Sequence, residues 1–226
     1  VRMCAMDIEL EQLPDWRELS RTIAQAIPAG ASGKGGVQLD ERGLSDIINA
    51  GAEASAELGW GLDEDLQHIE SGGRLDVGSP DLSERALKRG RKSLGTLGSG
   101  NHFLEVQVVE RVEDEAAARA FGLRQGQLTV MIHTGSRGFG HQVCSDHVKL
   151  LERRYRQQDA GFYSEEWDIT LADRQLAAAP FHSKAGQTYF QAMQAAGNYA
   201  FANRSALTQR LRNILQQELG QDGELE

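Results

Sequence analysis

Two glycine-rich turns, each beside an apolar strand, constrain this chain more than any other feature. The first is the segment GTLGSGNHFLE, from Gly95 to Glu105, and the second is HTGSRGFGH, from His133 to His141. Glycines relieve restrictions on φ and let backbone amides approach a ligand closely. Because each turn also carries a histidine, we expect the two turns to form two walls of one metal and phosphate site.

The spacing of apolar residues predicts an α+β fold (mixed α/β), with mixed β-sheets flanked by helices. Strands are predicted over 1–10, 102–110 and 128–133, and helices over 15–27, 44–58, 63–69, 79–92, 113–121, 140–157 and 184–219. In the first strand, Val1, Met3, Ala5 and Ile8 are the predicted inward positions. The helix from 79 is predicted to begin with Pro80 after a Ser79 cap.

The pattern of a Rossmann or P-loop fold does not occur in this sequence. The glycine run from Gly30 to Gly36 lacks the GK[ST] ending of a P-loop, which favours a flexible surface loop over a phosphate cradle. The acidic tail from 220 to 226 is predicted to fray.

Composition limits the classes of partner that this chain can take. The net charge is −9, from 24 basic and 33 acidic residues. This balance argues against broad duplex binding, which needs an extended cationic face, but it leaves room for a local basic pocket. Cys4 and Cys144 lie far apart, so we expect no disulfide framework and a cytoplasmic location. No apolar segment has the length of a membrane helix and no signal peptide is evident, so no membrane partner is expected.

The first turn offers His102 as a candidate metal ligand at the start of a predicted strand. Asn101 and Glu105 are then placed to contact a nucleotide or to support the ligand. The alternative, weighed equally, is a histidine that satisfies buried backbone groups at the end of a strand.

The second turn places Ser136 and Arg137 three and four residues after His133. A hydroxyl, backbone amides and a guanidinium near the start of a helix suit a phosphate or another anion. The alternative is a capping turn with a solvent-facing arginine. The combination of these groups with a histidine favours the functional interpretation.

The remaining histidines and the second cysteine have simpler expected roles. His141 is interpreted as support for the site and His147 as a core residue. His68 and His182 are expected at the surface, and Cys144 is expected to be a small buried hydrophobe.

Two sets of polar residues each have two possible roles. Asn198, Asn203 and Arg204 interrupt the last helix and face either a substrate pocket or a neighbouring helix. The cationic run from Lys88 to Lys92 (KRGRK) is typical of a solvated helix face, with contact to RNA phosphate as the alternative.

The stretches GTLGSGNHFLEVQ and MIHTGSRGFGHQV closely resemble the signature segments of the RtcB-type RNA-splicing ligases. The resemblance extends to Gly59–Leu66, to the helix containing KRG and to Ala195–Arg204, so it covers nearly the whole chain. Such ligases join RNA with a 2′,3′-cyclic phosphate or 3′-phosphate end to RNA with a 5′-hydroxyl end. They use GTP and Mn²⁺ through a histidine–GMP intermediate, and an accessory activator protein is a further expected partner.

The resemblance implies a role for each residue of the two turns. His102 and His133 would be metal ligands in a site for two Mn²⁺ ions. The guanylate-binding run would be Asn101, His102, Phe103, Leu104 and Glu105. Ser136 and Arg137 would bind phosphate of the nucleotide or the RNA, and Arg137 is the candidate catalytic residue.

Several family motifs are not in the sequence. The Asp-x-x-Cys metal motif would directly precede Val1, and Cys4 does not match its cysteine. No histidine follows His182, so the later Asp-x-x-His-Asn ligand and the guanylylated histidine are also missing. We therefore expect 1–226 to be the central part of a single catalytic domain, truncated at both ends and inactive by itself.

Two other function classes fit the same residues. One is a metal-dependent phosphohydrolase that acts on RNA ends without consuming GTP. The other is a non-catalytic nucleotide- or RNA-binding module.

Overall fold

The computed structural model describes residues 1–13, 15–30, 35–158, 161–220 and 225. The strands are β1 (Arg2–Glu9), β2 (Phe103–Val108), β3 (Gln127–His133), β4 (Arg156–Gln158), β5 (Gly161–Ser164) and β6 (Ile169–Leu171). The helices are α1 (Trp16–Ala26), α2 (Glu41–Ala50), α3 (Ala52–Glu57), α4 (Glu84–Gly90), α5 (Glu115–Ala120), α6 (Arg137–Glu152) and α7 (Lys184–Leu219). Short 3-10 segments occur at Leu10–Gln12, Asp63–His68, Glu70–Gly73 and Arg174–Leu176.

The strands form two three-stranded sheets, in the orders β1-β3-β2 and β4-β5-β6. The predicted α+β class is confirmed, and the strand pairs of the described residues are antiparallel rather than mixed. The second sheet was not predicted from the sequence, because its strands have only three or four residues each.

The first sheet packs one face against α1 and the carboxyl-terminal half of α7. Its core includes Cys4, Met6 and Ile8 from β1. The predicted inward positions of β1 were therefore wrong except for Ile8, because Val1 and Met3 are 64% and 50% exposed. Successive side chains of a strand point to opposite faces, so a prediction that is displaced by one position assigns the inward face to the outward residues.

A second core lies among α2, α3, α4, α6 and the amino-terminal half of α7. It contains Ile47 from α2, Ala86 from α4, and Phe139 and Val143 from α6. Both cores thus share α7, a helix of 36 residues whose predicted bounds are confirmed. The long helix ties the sheet to the helical layer.

Three of the predicted helices have bounds in the structure that differ from the predicted ones. The predicted helix over 44–58 is divided into α2 and α3 at Gly51, where φ is +59° and an added Cβ would lie 2.3 Å from the Gly73 oxygen. The helix predicted from Ser79 begins only at Glu84, because Ser83 supplies the cap by accepting a hydrogen bond from Ala86 N at 3.1 Å.

The helix predicted over 140–157 begins earlier, at Arg137, and ends at Glu152, so the second glycine-rich turn leads directly into α6. The predicted loop from 30 to 36 and the predicted frayed tail lie largely outside the described residues. Within the described residues, no helix has the length and apolarity needed to cross a membrane.

Candidate metal and phosphate site

The two glycine-rich turns meet at one end of the first sheet. His133 is the last residue of β3 and pairs with Phe103, the first residue of β2, and His102 directly precedes that strand. The imidazole centroids of His102 and His133 lie 6.4 Å apart, and the Phe103 ring lies 5.0 Å from His133. The antiparallel register therefore brings together two histidines that are far apart in the sequence.

Arg137 joins the two turns from the start of α6. Its Nε donates to Thr96 Oγ1 at 3.0 Å, and its Nη2 donates to the Gly30 carbonyl at 3.1 Å. Its Nη1 lies 3.4 Å from His102 Nδ1. The backbone φ of Arg137 is +52°, in the left-handed region that non-glycine residues seldom adopt. The contacts of the guanidinium hold this residue in a strained conformation at the site.

Gly98 makes the close contact between Arg137 and His102 sterically feasible. An added Cβ at Gly98 would lie 2.3 Å from Arg137 Nη1 and 2.4 Å from His102 Nδ1, and its φ is +117°. A side chain at this position would occupy the space of both functional groups. The glycine is therefore required by the packing of the site as well as by its backbone conformation.

The surroundings of His102 favour its neutral form. Burial lowers the pKa of its imidazole below the ordinary value, and the charges of Arg137 and His133 lower it further, against a hydrogen bond with the Ser99 backbone. A neutral imidazole is the form that binds a metal ion. At neutral pH the neutral form of His102, the form a metal ion would need, is therefore favoured.

Two imidazoles suit Mn²⁺ in kind, since this ion accepts both nitrogen and oxygen ligands. They do not complete its coordination shell. In the part of the chain that the structure describes, no group of three or more His, Cys, Asp or Glu side chains could hold a metal ion. A metal ion at these two imidazoles would therefore need further ligands.

Asn203 of α7 holds the backbones of both turns in place. Its Oδ1 accepts hydrogen bonds from the Gly95 and Thr96 amides, at 2.8 and 3.2 Å. Its Nδ2 donates to the Thr96 and Gly135 carbonyls, both at 3.1 Å. The side chain is fully buried. One carboxamide thus satisfies four backbone groups and fixes the spacing of the two turns.

Neighbouring polar groups strengthen the connection between the two turns. Thr134 Oγ1 donates to the Leu97 carbonyl at 2.5 Å, and Arg204 Nη1 donates to the Thr134 carbonyl at 3.2 Å. Asn198 instead binds the backbone of Ile48 and Leu75. Asn198 therefore makes a helix-to-helix hydrogen bond, because Ile48 lies in α2, and this confirms one of the two predicted alternatives for that residue. Asn203 and Arg204 instead bind the backbones of the two turns.

The start of α6 has the features of an anion site. Ser136 occupies the capping position, but its side chain makes no capping hydrogen bond to the described backbone, and no acidic residue lies in the first turn. Amides at the start of a helix attract negative charge. The alternative of a solvent-facing arginine is wrong, because Arg137 is half-buried against Thr96 and Gly30.

The residues from Asn101 to Glu105 lie in different surroundings. Asn101 and Glu105 are exposed, and Phe103 and Glu105 share the sheet face of His133. Leu104 points to the opposite face and packs against the first core. The side chain of Leu104 therefore faces away from His133.

The other histidines mostly lie where the sequence placed them. His68 and His182 are exposed and His147 is buried, as predicted. His141 is exposed on α6. The prediction of a buried Cys144 was wrong: this cysteine is exposed, and its sulfur accepts a long contact from the Tyr189 hydroxyl at 3.8 Å.

Sequence reasoning missed Thr96 as a partner of Arg137 and did not assign Asn203 to the turns. A threonine between two glycines and a polar residue on an otherwise apolar helix face were the available signals. Neither signal identifies its partner, because Thr96 and Arg137 are 41 positions apart, and Asn203 is 107 or 108 positions from its partners in the first turn.

A separate cavity of about 780 Å³ lies between α1 and β2. Its lining is mainly apolar, with Trp16 and Ile23 from α1 and Val106 from β2. It includes Leu104 and Glu105 but neither of the two histidines. This apolar cavity is therefore separate from the site at the glycine-rich turns.

The described residues thus form an α+β protein in which two histidines and a half-buried arginine meet at adjoining glycine-rich turns, a site suited to a divalent metal ion and an anion. The chain belongs to the RtcB family, since the family model described as tRNA-splicing ligase RtcB matches residues 1–226.

Relatives named tRNA-splicing ligase RtcB align with almost the whole chain. The protein of Pyrococcus furiosus is 43% identical over 217 residues, which are 96% of this chain and 21% of the relative. Those of Thermococcus kodakarensis and Archaeoglobus fulgidus are each 42% identical, and the chain covers 44% of each. The chain therefore spans less than half the length of these relatives.

Proposed function

We propose that the complete protein containing this chain is an RNA ligase. It joins RNA with a 3′-phosphate or 2′,3′-cyclic phosphate end to RNA with a 5′-hydroxyl end, and it uses GTP and Mn²⁺. Residues 1–226 form the central part of its catalytic domain, and the histidine that carries GMP lies elsewhere in the protein. Membership of a family named for RNA splicing and ligation supports the reaction class.

The observation that carries this proposal is the meeting of His102, His133 and Arg137 at the two turns. Nucleotidyl and phosphoryl transfer depend mainly on positioning and on stabilisation of negative charge. A partial metal donor set beside an arginine and the amides of a helix start supplies both requirements. The other two function classes have no further feature of this site in their favour.

Each residue of the site has a defined task in the proposal. His102 and His133 hold Mn²⁺, which when bound neutralises phosphate charge and polarises the reacting oxygen. Arg137 and Ser136 orient a phosphate group at the start of α6. Asn101 and the exposed side of the run to Glu105 contact the guanine nucleotide, with Leu104 contributing through its backbone.

The proposal is tested with RNA that has a 2′,3′-cyclic phosphate at one end and a 5′-hydroxyl at the other. The complete protein should convert this RNA into joined product, and product formation should require both GTP and Mn²⁺. Release of phosphate without joining, in the absence of GTP, would identify a phosphohydrolase instead. RNA binding with neither reaction would identify a non-catalytic module.

A further inference from the structure

Three cations lie on α4 and on the turn that follows it, shortly before the first glycine-rich turn in the sequence. Lys88 and Lys92 are exposed and one helical turn apart, and Arg89 between them is half-buried. We call Lys88, Arg89 and Lys92 the cationic strip. The strip lies immediately before the first glycine-rich turn, which begins at Gly95.

Arg89 connects the strip to the second turn. Its side chain runs along Gly138, where an added Cβ would lie 3.6 Å from Arg89 Cδ. Gly138 directly follows Arg137. The innermost cation of the strip is therefore a close neighbour of the residue that joins the two histidine turns.

The carboxyl-terminal end of α4 is firmly anchored. Gly90 packs against α6, so that an added Cβ would lie 3.3 Å from Phe139 Cδ2, and the buried Tyr199 hydroxyl donates to the Gly90 carbonyl at 2.7 Å. The strip thus presents its charges from a rigid platform, with little backbone freedom to lose when a ligand binds.

The charges of the strip are not balanced by ion pairs within the described residues. Twelve ion pairs occur there, and none includes Lys88, Arg89 or Lys92. By contrast, Arg91 pairs with Glu41 at 3.1 Å.

We propose that the cationic strip binds the phosphodiester backbone of single-stranded RNA and leads its end to His102, His133 and Arg137. The identity of this RNA as substrate rests on the proposed function. Lysines act as point charges toward phosphate and carry no base preference, so the strip contributes affinity without sequence specificity. An acidic protein partner is less suitable, because a protein interface needs an apolar centre that this exposed row lacks.

The test measures the affinity of the complete protein for a short single-stranded RNA whose ends are blocked, at several salt concentrations and without GTP. The variant Lys88→Gln/Lys92→Gln removes two strip charges. The matched control is Arg111→Gln/Arg119→Gln, since both arginines are exposed and lie beyond the far end of β2 from His102. Both double variants change the net charge by the same amount.

The strip variant should bind the RNA about 25-fold more weakly at 0.1 M salt, and its plot of log affinity against log salt should be shallower by about 1.4. The control variant should keep the wild-type slope. An unchanged slope in the strip variant would overturn the proposal, and so would an equal change in the two variants. Equal melting temperatures would show that both variants remain folded.

This binding measurement is separate from the test of the ligase activity. If RNA binding depends on the strip but the protein cannot join RNA, the proposed role of the strip stands and the proposed reaction is rejected. If the protein joins RNA but its RNA binding does not depend on the strip, the proposed reaction stands and the role of the strip is rejected.

Discussion

At the scale of single residues, Arg137 combines a strained backbone with three directed contacts. Lysine would keep the charge at this position but could not reproduce the planar donor geometry. We expect Arg137→Lys to lower the free energy of unfolding by about 2 kcal/mol, through the lost hydrogen bonds. We also expect ligation to slow by about 100-fold, because the reacting groups lose their positions.

Denaturant unfolding and single-turnover ligation would check this prediction. Arg153→Lys is the control, since Arg153 is exposed at the end of α6. Normal stability and normal ligation in Arg137→Lys would show that the charge alone matters.

Gly98 and Gly100 form a natural pair for testing the space around His102. Both have positive φ, at +117° and +75°, but only an added Cβ at Gly98 meets Arg137 and His102, whereas none of the described atoms lies within 4 Å at Gly100. We expect Gly98→Ala to abolish Mn²⁺-dependent ligation and Gly100→Ala to lower it less than tenfold, since only backbone strain of about 1 kcal/mol applies there. Equal losses of ligation in the two variants would contradict the steric account.

At the scale of elements, α7 determines how the two turns are spaced. Asn203→Asp would keep an acceptor for the Gly95 and Thr96 amides but would remove the donors to the Thr96 and Gly135 carbonyls. Because a buried charge would then face two carbonyl oxygens, we expect a loss of about 3 kcal/mol in the free energy of unfolding. Asn213→Asp is the control on the exposed side of the same helix, and it should change stability by less than about 0.5 kcal/mol. Similar losses of stability in both variants would contradict this role.

The elements also show which parts of the fold could be predicted from the sequence. The bounds of α7 were predictable because Ser183 caps its start and Gly220, at φ +64°, ends it. The division between α2 and α3 was not, since it depends on the close approach of Gly73 to Gly51. The inward face of β1 was mistaken for a similar reason: both faces carry apolar residues, and only packing against α1 and α7 distinguishes them.

The candidate site was predictable in its residues but not in its geometry. The histidines and glycines of both turns are visible in the sequence, and the family resemblance, now confirmed, assigns them expected roles. The contacts of Arg137 with Thr96 and of Asn203 with both turns depend on tertiary structure. Local sequence patterns do not encode such distant pairs.

At the scale of the whole molecule, Asp65 connects three separate segments. Its carboxylate binds Arg212 of α7 at 2.6 and 2.8 Å and Arg2 of β1 at 3.0 Å, from the 3-10 segment Asp63–His68. Burial alone would raise the pKa of Asp65, but the hydrogen bonds and charges of the two arginines lower it below its ordinary value of 3.8. The ionised form is therefore the one that stabilises the fold.

This network predicts a dependence of stability on pH. Because the folded-state pKa is the lower one, the contribution of Asp65 is fully present above the ordinary value of 3.8 and declines as the pH falls through the folded-state pKa. We expect Asp65→Asn to cost about 3 kcal/mol at neutral pH, since two partly buried arginines lose their charged partner. The difference in the free energy of unfolding from wild type should shrink in acid.

Denaturant unfolding from neutral pH to about pH 3 would measure this difference. Asp63→Asn, on the exposed part of the same segment, provides the control and should leave stability nearly unchanged. If the difference in the free energy of unfolding between Asp65→Asn and wild type stays constant throughout the acid range, the stabilising role of the ionised Asp65 carboxylate is contradicted.

The most direct test of the central claim is Mn²⁺-dependent transfer of GMP from GTP to the complete protein. His102→Ala and His133→Ala should each abolish the covalent label, because each removes one of the two proposed metal ligands. His68→Ala and His182→Ala, which alter exposed histidines, should label normally. Normal labelling of either His102→Ala or His133→Ala would contradict the assignment of the two turns as one metal and phosphate site.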